Sequence, residues 1–149
     1  MMVTTMSETE LRAPKGEAEI RACFPVMRQL RPYLAGPEDF AARVARQAEA
    51  GYRLLAIWVD GRPTALAGWR VQENMIHGRF LYVDDLVTDA GTRSAGHGAA
   101  LIAALRAEAL KEGCGKLVLD TALDNAFAHR FYFRQGLLAR ALRFSTDVA

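Results

Sequence analysis

Apolar residues recur at helical spacing from Glu17 to Leu34, at Ile20, Phe24, Met27, Leu30 and Leu34. Pro25 falls inside this stretch and should kink or split it, and Pro32 should end it. A second helix is bracketed by Pro37 at its start and Gly51 at its end, with Glu38 and Asp39 complementing the dipole of its first turn. The pattern then shifts toward period two. Tyr52 to Val59 and Thr64 to Val71, joined at Asp60-Gly61, predict a β-hairpin. Phe80 to Thr88 predicts another strand, followed by a glycine-containing loop from Asp89 to Gly98. A long helix comes next, with Leu101, Ile102, Leu105 and Ala109 on one face and Gly113 as its cap. The short apolar run from Leu117 to Leu119 predicts a strand buried on both faces. A last helix, capped by Asp124 or Asn125 and closed by Gly136, leads to a final strand from Leu138 to Ser145. A short edge strand is expected near Thr9 to Ala13, after a flexible start over residues 1–8.

This order describes an α/β chain: an antiparallel meander followed by strand, loop, helix and strand. The last unit requires a parallel crossover, giving a mixed sheet with helices on both faces. A length of 149 residues suits one domain. The net charge of +2 excludes a field strong enough to grip nucleic acid without sequence preference. No segment has signal-peptide character or membrane-spanning length, so a cytoplasmic setting without membrane attachment is expected. Cys23 and Cys114 lack partners at metal-ligand spacing, and the three histidines are scattered, so no metal is expected. Cys23 reads as a core residue rather than a nucleophile.

The loop Thr92-Arg93-Ser94-Ala95-Gly96-His97-Gly98-Ala99 joins a strand to a helix start. Free backbone N–H groups and the positive helix end make an anion site there. Gly96 and Gly98 have no β-carbon, so a phosphate can approach the main chain, and Arg93 adds charge. A Walker loop would need Gly-Lys-Ser/Thr, which is absent. A dinucleotide fingerprint would need glycine where Leu101 stands.

The remaining pattern, R-x-x-G-x-G, resembles the pyrophosphate-binding loop of the GNAT acetyltransferases. A second pattern strengthens the resemblance: Asn125, Ala128, Phe131, Tyr132, Gly136 and Leu137 are similar to that family's N-x-x-A-x-x-(F/L)-Y-x-x-x-G-(F/L) helix. Two departures stand out. Ala90 and Thr92 replace the proline and aromatic often found before the loop arginine, and only one strand follows Gly136 where many relatives have two.

The resemblance implies a GNAT domain over residues 9–149, acetyl-CoA as cosubstrate and an amine-bearing acceptor, with a homodimer as a possible assembly. The backbone of Leu86, Val87 and Thr88 would pair with the pantetheine arm. Residues Arg93, Ser94, Ala95, Gly96, His97, Gly98 and Ala99 would hold the pyrophosphate. Asn125, Ala128 and Phe131 would line the arm, although Asn125 reads equally as a plain helix cap. Tyr132 would supply a proton or hydrogen bond to the departing thiolate, its alternative being a core aromatic. Asp84 is the expected base, with Asp85 on the opposite side of the strand; both carboxylates also fit a role as an ionic seat for a cationic acceptor. His129 is a weaker second base. A non-catalytic acyl-CoA-binding module of the same fold is the rival reading.

Overall fold

A computed structural model describes residues 7–149, apart from the side chain of Ser94; most of the start expected to be flexible lies outside the described residues. Five strands form one sheet in the order β1 (Thr9–Arg12), β2 (Arg53–Val59), β3 (Arg62–Asn74), β4 (Gly78–Thr88) and β5 (Lys116–Leu119). The first four are antiparallel neighbours, and β5 runs parallel to β4.

The first helical stretch does split. Helix α1 (Gly16–Ala22) ends at Cys23, and α2 (Phe24–Leu30) begins beside Pro25, whose missing N–H is harmless in a first turn. Cys23 is fully buried, and that burial pushes its thiol up to about 12, so it is a core residue. Helix α3 (Pro37–Ala48) follows.

Alternation along β2 separates two cores. Leu54, Ala56 and Trp58 pack with Phe24, Met27, Phe40 and Val44 of α2 and α3. Ile57 faces the other way, with Trp69, Leu81 and Val83, against Leu101 and Leu105 of α4 (His97–Lys111). Helices therefore cover both faces.

Two expectations fail at the C-terminal side. Strand β5 is the sheet edge, and Leu117, Val118 and Leu119 are only half-buried rather than enclosed on both faces. No strand forms over 138–145: after α5 (Ala126–Arg134) the chain is irregular and exposed, with Leu138, Leu142 and Phe144 facing outward. A run of apolar and basic residues makes no strand without an edge to pair with. A side chain ties this segment to the residue that follows β5, Arg143 donating to Asp120 at 2.8 Å.

Candidate functional site

The register of β4 creates an open edge. It pairs with β5 only from Phe80 opposite Lys116 to Val83 opposite Leu119. Beyond that point Asp85 to Thr88 stay paired with β3 on one side and have no strand on the other. Opposite Gly68 and Trp69 the register slips: Gly68 faces Asp85 and Trp69 faces Val83, so Asp84 is the extra residue of a β-bulge. A bulge bends and twists its strand, and here the divergence of β4 from β5 begins at the same place. The half-buried backbone of Leu86, Val87 and Thr88 thus offers unpaired peptide groups to an extended ligand.

At the end of this edge the chain enters the glycine loop. Asp89 accepts a bond from the N–H of Gly91, and Gln29 of α2 both donates to Asp89 (2.6 Å) and accepts from the N–H of Ala90 (2.9 Å). A 3₁₀ turn from Ala90 to Ala95 carries the exposed Arg93 and Ala95 and the backbone of Ser94 to Gly96, whose φ of 79° favours glycine. Helix α4 starts immediately afterwards, leaving the N–H groups of His97, Gly98 and Ala99 without intrahelical acceptors. The cradle matches an anionic pyrophosphate in charge and in backbone donors. His97 differs from the expected pattern: its side chain turns inward to Thr64 at 3.1 Å, so only its backbone serves the loop.

Helix α5 closes the other side. The aromatic ring of Phe131 lies against Gly98, and a β-carbon built at Gly98 would also come 3.7 Å from the Thr88 hydroxyl. Strand edge, loop and helix therefore meet at Thr88, Gly98 and Phe131. Asn125 caps α5 by accepting from the N–H of Ala128 at 3.1 Å, which leaves its amide NH₂ free to donate. Tyr132 packs edge-to-face on Phe131, and burial raises its phenol above the ordinary range, keeping it protonated. The ring of His129 bonds the carbonyl of Ala122 at 2.9 Å, an anchor for the preceding loop rather than a free base.

The acidic pair behaves differently from expectation. Asp84 and Asp85 do not face opposite sides of β4; both line one cavity of about 230 Å³ under α2 and α3, because the bulge breaks the strict alternation at Asp84. Asp84 accepts two bonds from Arg70, at 2.6 and 3.0 Å. Asp85 accepts from Arg31 at 2.9 Å and from the Tyr52 hydroxyl at 2.7 Å. Burial first, and Asp85 second, raise the Tyr52 phenol. Sequence reading missed Arg31, Arg70 and Tyr52, since their partners are 54, 14 and 33 residues away. No local spacing signals such pairs. Asp84 and Tyr132 share no hydrogen bond among the described residues.

Among the described residues no group of three His, Cys, Asp or Glu side chains could hold a metal, and no helix is long and apolar enough to cross a membrane.

Known proteins are similar to this chain in sequence and in fold. The family model for the acetyltransferase (GNAT) family matches residues 17–137. An uncharacterized N-acetyltransferase of Bacillus subtilis (strain 168), YhdJ, is 34% identical over 110 residues, covering 73% of this chain and 77% of that one. In overall fold the chain is similar to the Trypanosoma brucei acetyltransferase Tb11.01.2886, with a TM-score of 0.79, 23% identity and 95% and 100% of the two chains covered. It is similar also to the aminoglycoside N-acetyltransferase AAC(6')-Iy in complex with CoA, with a TM-score of 0.85, 16% identity and 99% and 100% coverage.

Proposed function

Because the chain belongs to the acetyltransferase (GNAT) family, we propose that it transfers the acetyl group of acetyl-CoA to a primary amine by direct attack in a ternary complex. The observation that carries this reading is the unpaired β4 edge running into the Gly96–Ala99 helix start. An extended pantetheine arm would add to Leu86, Val87 and Thr88 as a strand does, and the pyrophosphate would sit at Arg93 to Ala99.

The amine lone pair would form the C–N bond while the C–S bond breaks and its electron pair leaves on sulfur. Tyr132, kept protonated by burial, is the proposed donor to that sulfur. The amine must first lose a proton. Presenting an alkylammonium as neutral amine at pH 7 costs roughly 4–5 kcal/mol, so the site must favour or drain that proton. We assign Asp84 as its acceptor, directly or through a water. Each Asp84 oxygen takes one bond from Arg70 and retains a second lone pair, so the carboxylate can still face the incoming ammonium. Asp85, tied to Arg31 and Tyr52, is proposed to help seat the cation.

The outward-facing Leu138, Leu142 and Phe144 support self-association as a homodimer. The test of the main reading is calorimetry with acetyl-CoA, NAD and ATP, followed by release of free CoA thiol in the presence of an amine panel. Micromolar binding of acetyl-CoA with amine-dependent thiol release is expected. Equal binding of NAD or ATP would refute the loop assignment, and binding without release for any amine would favour a non-catalytic acyl-CoA-binding module.

A further inference from the structure

We propose that the acceptor is a small zwitterion, an amine that also carries a carboxylate or phosphate, rather than a polycation. The inference rests on the acetyl-transfer reading and concerns the cavity beside Asp84. That cavity, about 230 Å³, falls below the usual range of sites for drug-sized ligands, about 300–1,000 Å³, which favours a compact molecule. Its walls carry both signs. Asp84 and Asp85 offer carboxylate to an ammonium, while Arg31 and Arg43 line the same space.

The arginines are not used up by their protein partners. Arg43 gives only its Nε to Asp39, at 3.0 Å, and lies over the Tyr33 ring; its two Nη groups bond no described residue. Arg31 spends Nε on Asp85 and Nη2 on the carbonyl of Asp84, leaving Nη1. Guanidinium groups with free N–H forks recognise carboxylate and phosphate oxygens. The formal charges that line the cavity balance: Asp84 and Asp85 against Arg31 and Arg43. A ligand of net charge near zero, with its charges separated, complements such walls. Each further ammonium of a polyamine would instead meet Arg31 or Arg43, a like-charge contact that disfavours binding.

The experiment compares matched acceptors with saturating acetyl-CoA: 4-aminobutyrate against butylamine, phosphoethanolamine against ethanolamine, and neamine as a polycation. The anion-bearing member of at least one pair should show kcat/KM at least about tenfold above its partner, and which pair does so identifies carboxylate or phosphate. Arg43→Gln should erase that ratio through the KM of the anionic acceptor. Its affinity for acetyl-CoA and its melting temperature should hold, because the Arg43–Asp39 pair is a half-exposed i,i+4 contact through one guanidinium nitrogen and contributes little stability. A purely structural Arg43 would leave the ratio unchanged, which would overturn the proposal. Preference for neamine or the uncharged-tail amines would overturn it as well, with the transferase reading intact. Turnover of no zwitterion despite acetyl-CoA binding would have the same consequence, whereas absence of acetyl-CoA binding would defeat the transferase reading itself.

Discussion

Gly98 and Phe131 touch so closely that a β-carbon at position 98 would lie 3.0 Å from Cζ of the phenylalanine and 3.3 Å from Cε1. The contact joins the start of α4 to α5 across the end of β4, the place where the cosubstrate is proposed to lie. The glycine therefore serves the packing of Phe131 as well as the proposed approach of a phosphate.

Gly98→Ala gains helix propensity of up to about 1 kcal/mol but overpacks Phe131, at a cost of roughly 1–3 kcal/mol. The melting temperature should fall by a few degrees at most, since about 1 kcal/mol shifts a chain of this size by roughly 2–4 °C. Acetyl-CoA affinity should fall at least about tenfold, because Phe131 has to swing toward the proposed arm. Combining it with Phe131→Leu should restore part of the affinity. Calorimetry on the single and double variants checks this, and failure of the rescue would separate the contact from binding.

Tyr132→Phe should separate binding from chemistry. The ring keeps its edge-to-face packing on Phe131, and only the hydroxyl is lost. A general acid contributes typically about 10²–10⁴ in rate, so kcat should drop at least about tenfold while the KM for acetyl-CoA stays near its original value. Steady-state kinetics with an accepted amine would show it. Unchanged kcat would return Tyr132 to a packing role, with solvent as the proton source.

At Gly68 an added β-carbon would overlap the hydroxyl of Tyr52. Gly68→Ala must displace that ring and break its bond to Asp85. Overpacking of this kind costs about 1–3 kcal/mol, and stranding a buried hydroxyl adds to it. A melting-temperature loss larger than that of Gly98→Ala is expected, together with a rise in acceptor KM as Asp85 loses a partner. Equal melting curves for Gly68→Ala and the parent would show that Tyr52 moves freely.

The Arg12 guanidinium and the backbone N–H of Lys15 hold the Glu19 carboxyl at about 2, below its ordinary 4.5. A lowered folded-state value means that the pair's contribution is complete above about 4.5 and fades as pH falls toward 2. The half-exposed position, open to solvent screening, keeps the effect small. Melting temperature should therefore fall more steeply between pH 5 and pH 2 in the parent than in Glu19→Gln. Parallel acid limbs for the two proteins would contradict the assignment.

Local pattern carried much of the architecture. The apolar run of β2, the Asp60-Gly61 turn, the split at Pro25, the Pro37 start of α3 and the Asn125 cap of α5 all follow from residues within one or two turns of each other. So does the loop chemistry, because a helix start needs only its own backbone to offer N–H groups. The GNAT resemblance rests on such local runs, Arg93 to Gly98 and Asn125 to Leu137, and for that reason it was legible.

What the sequence could not contain was pairing over distance. The bulge at Asp84 exists only against Gly68 and Trp69 of β3, and it turns two neighbouring carboxylates to one side where alternation predicts two. The Arg70, Arg31 and Tyr52 contacts that surround them join residues 14 to 54 positions apart. The segment 138–145, expected as a strand, has no partner, since a strand is completed by hydrogen bonds to another edge and its own residues supply none. Residue order thus determined the helices, the hairpin and the glycine loop proposed to hold the pyrophosphate, while tertiary structure alone decided which charges meet beside β4.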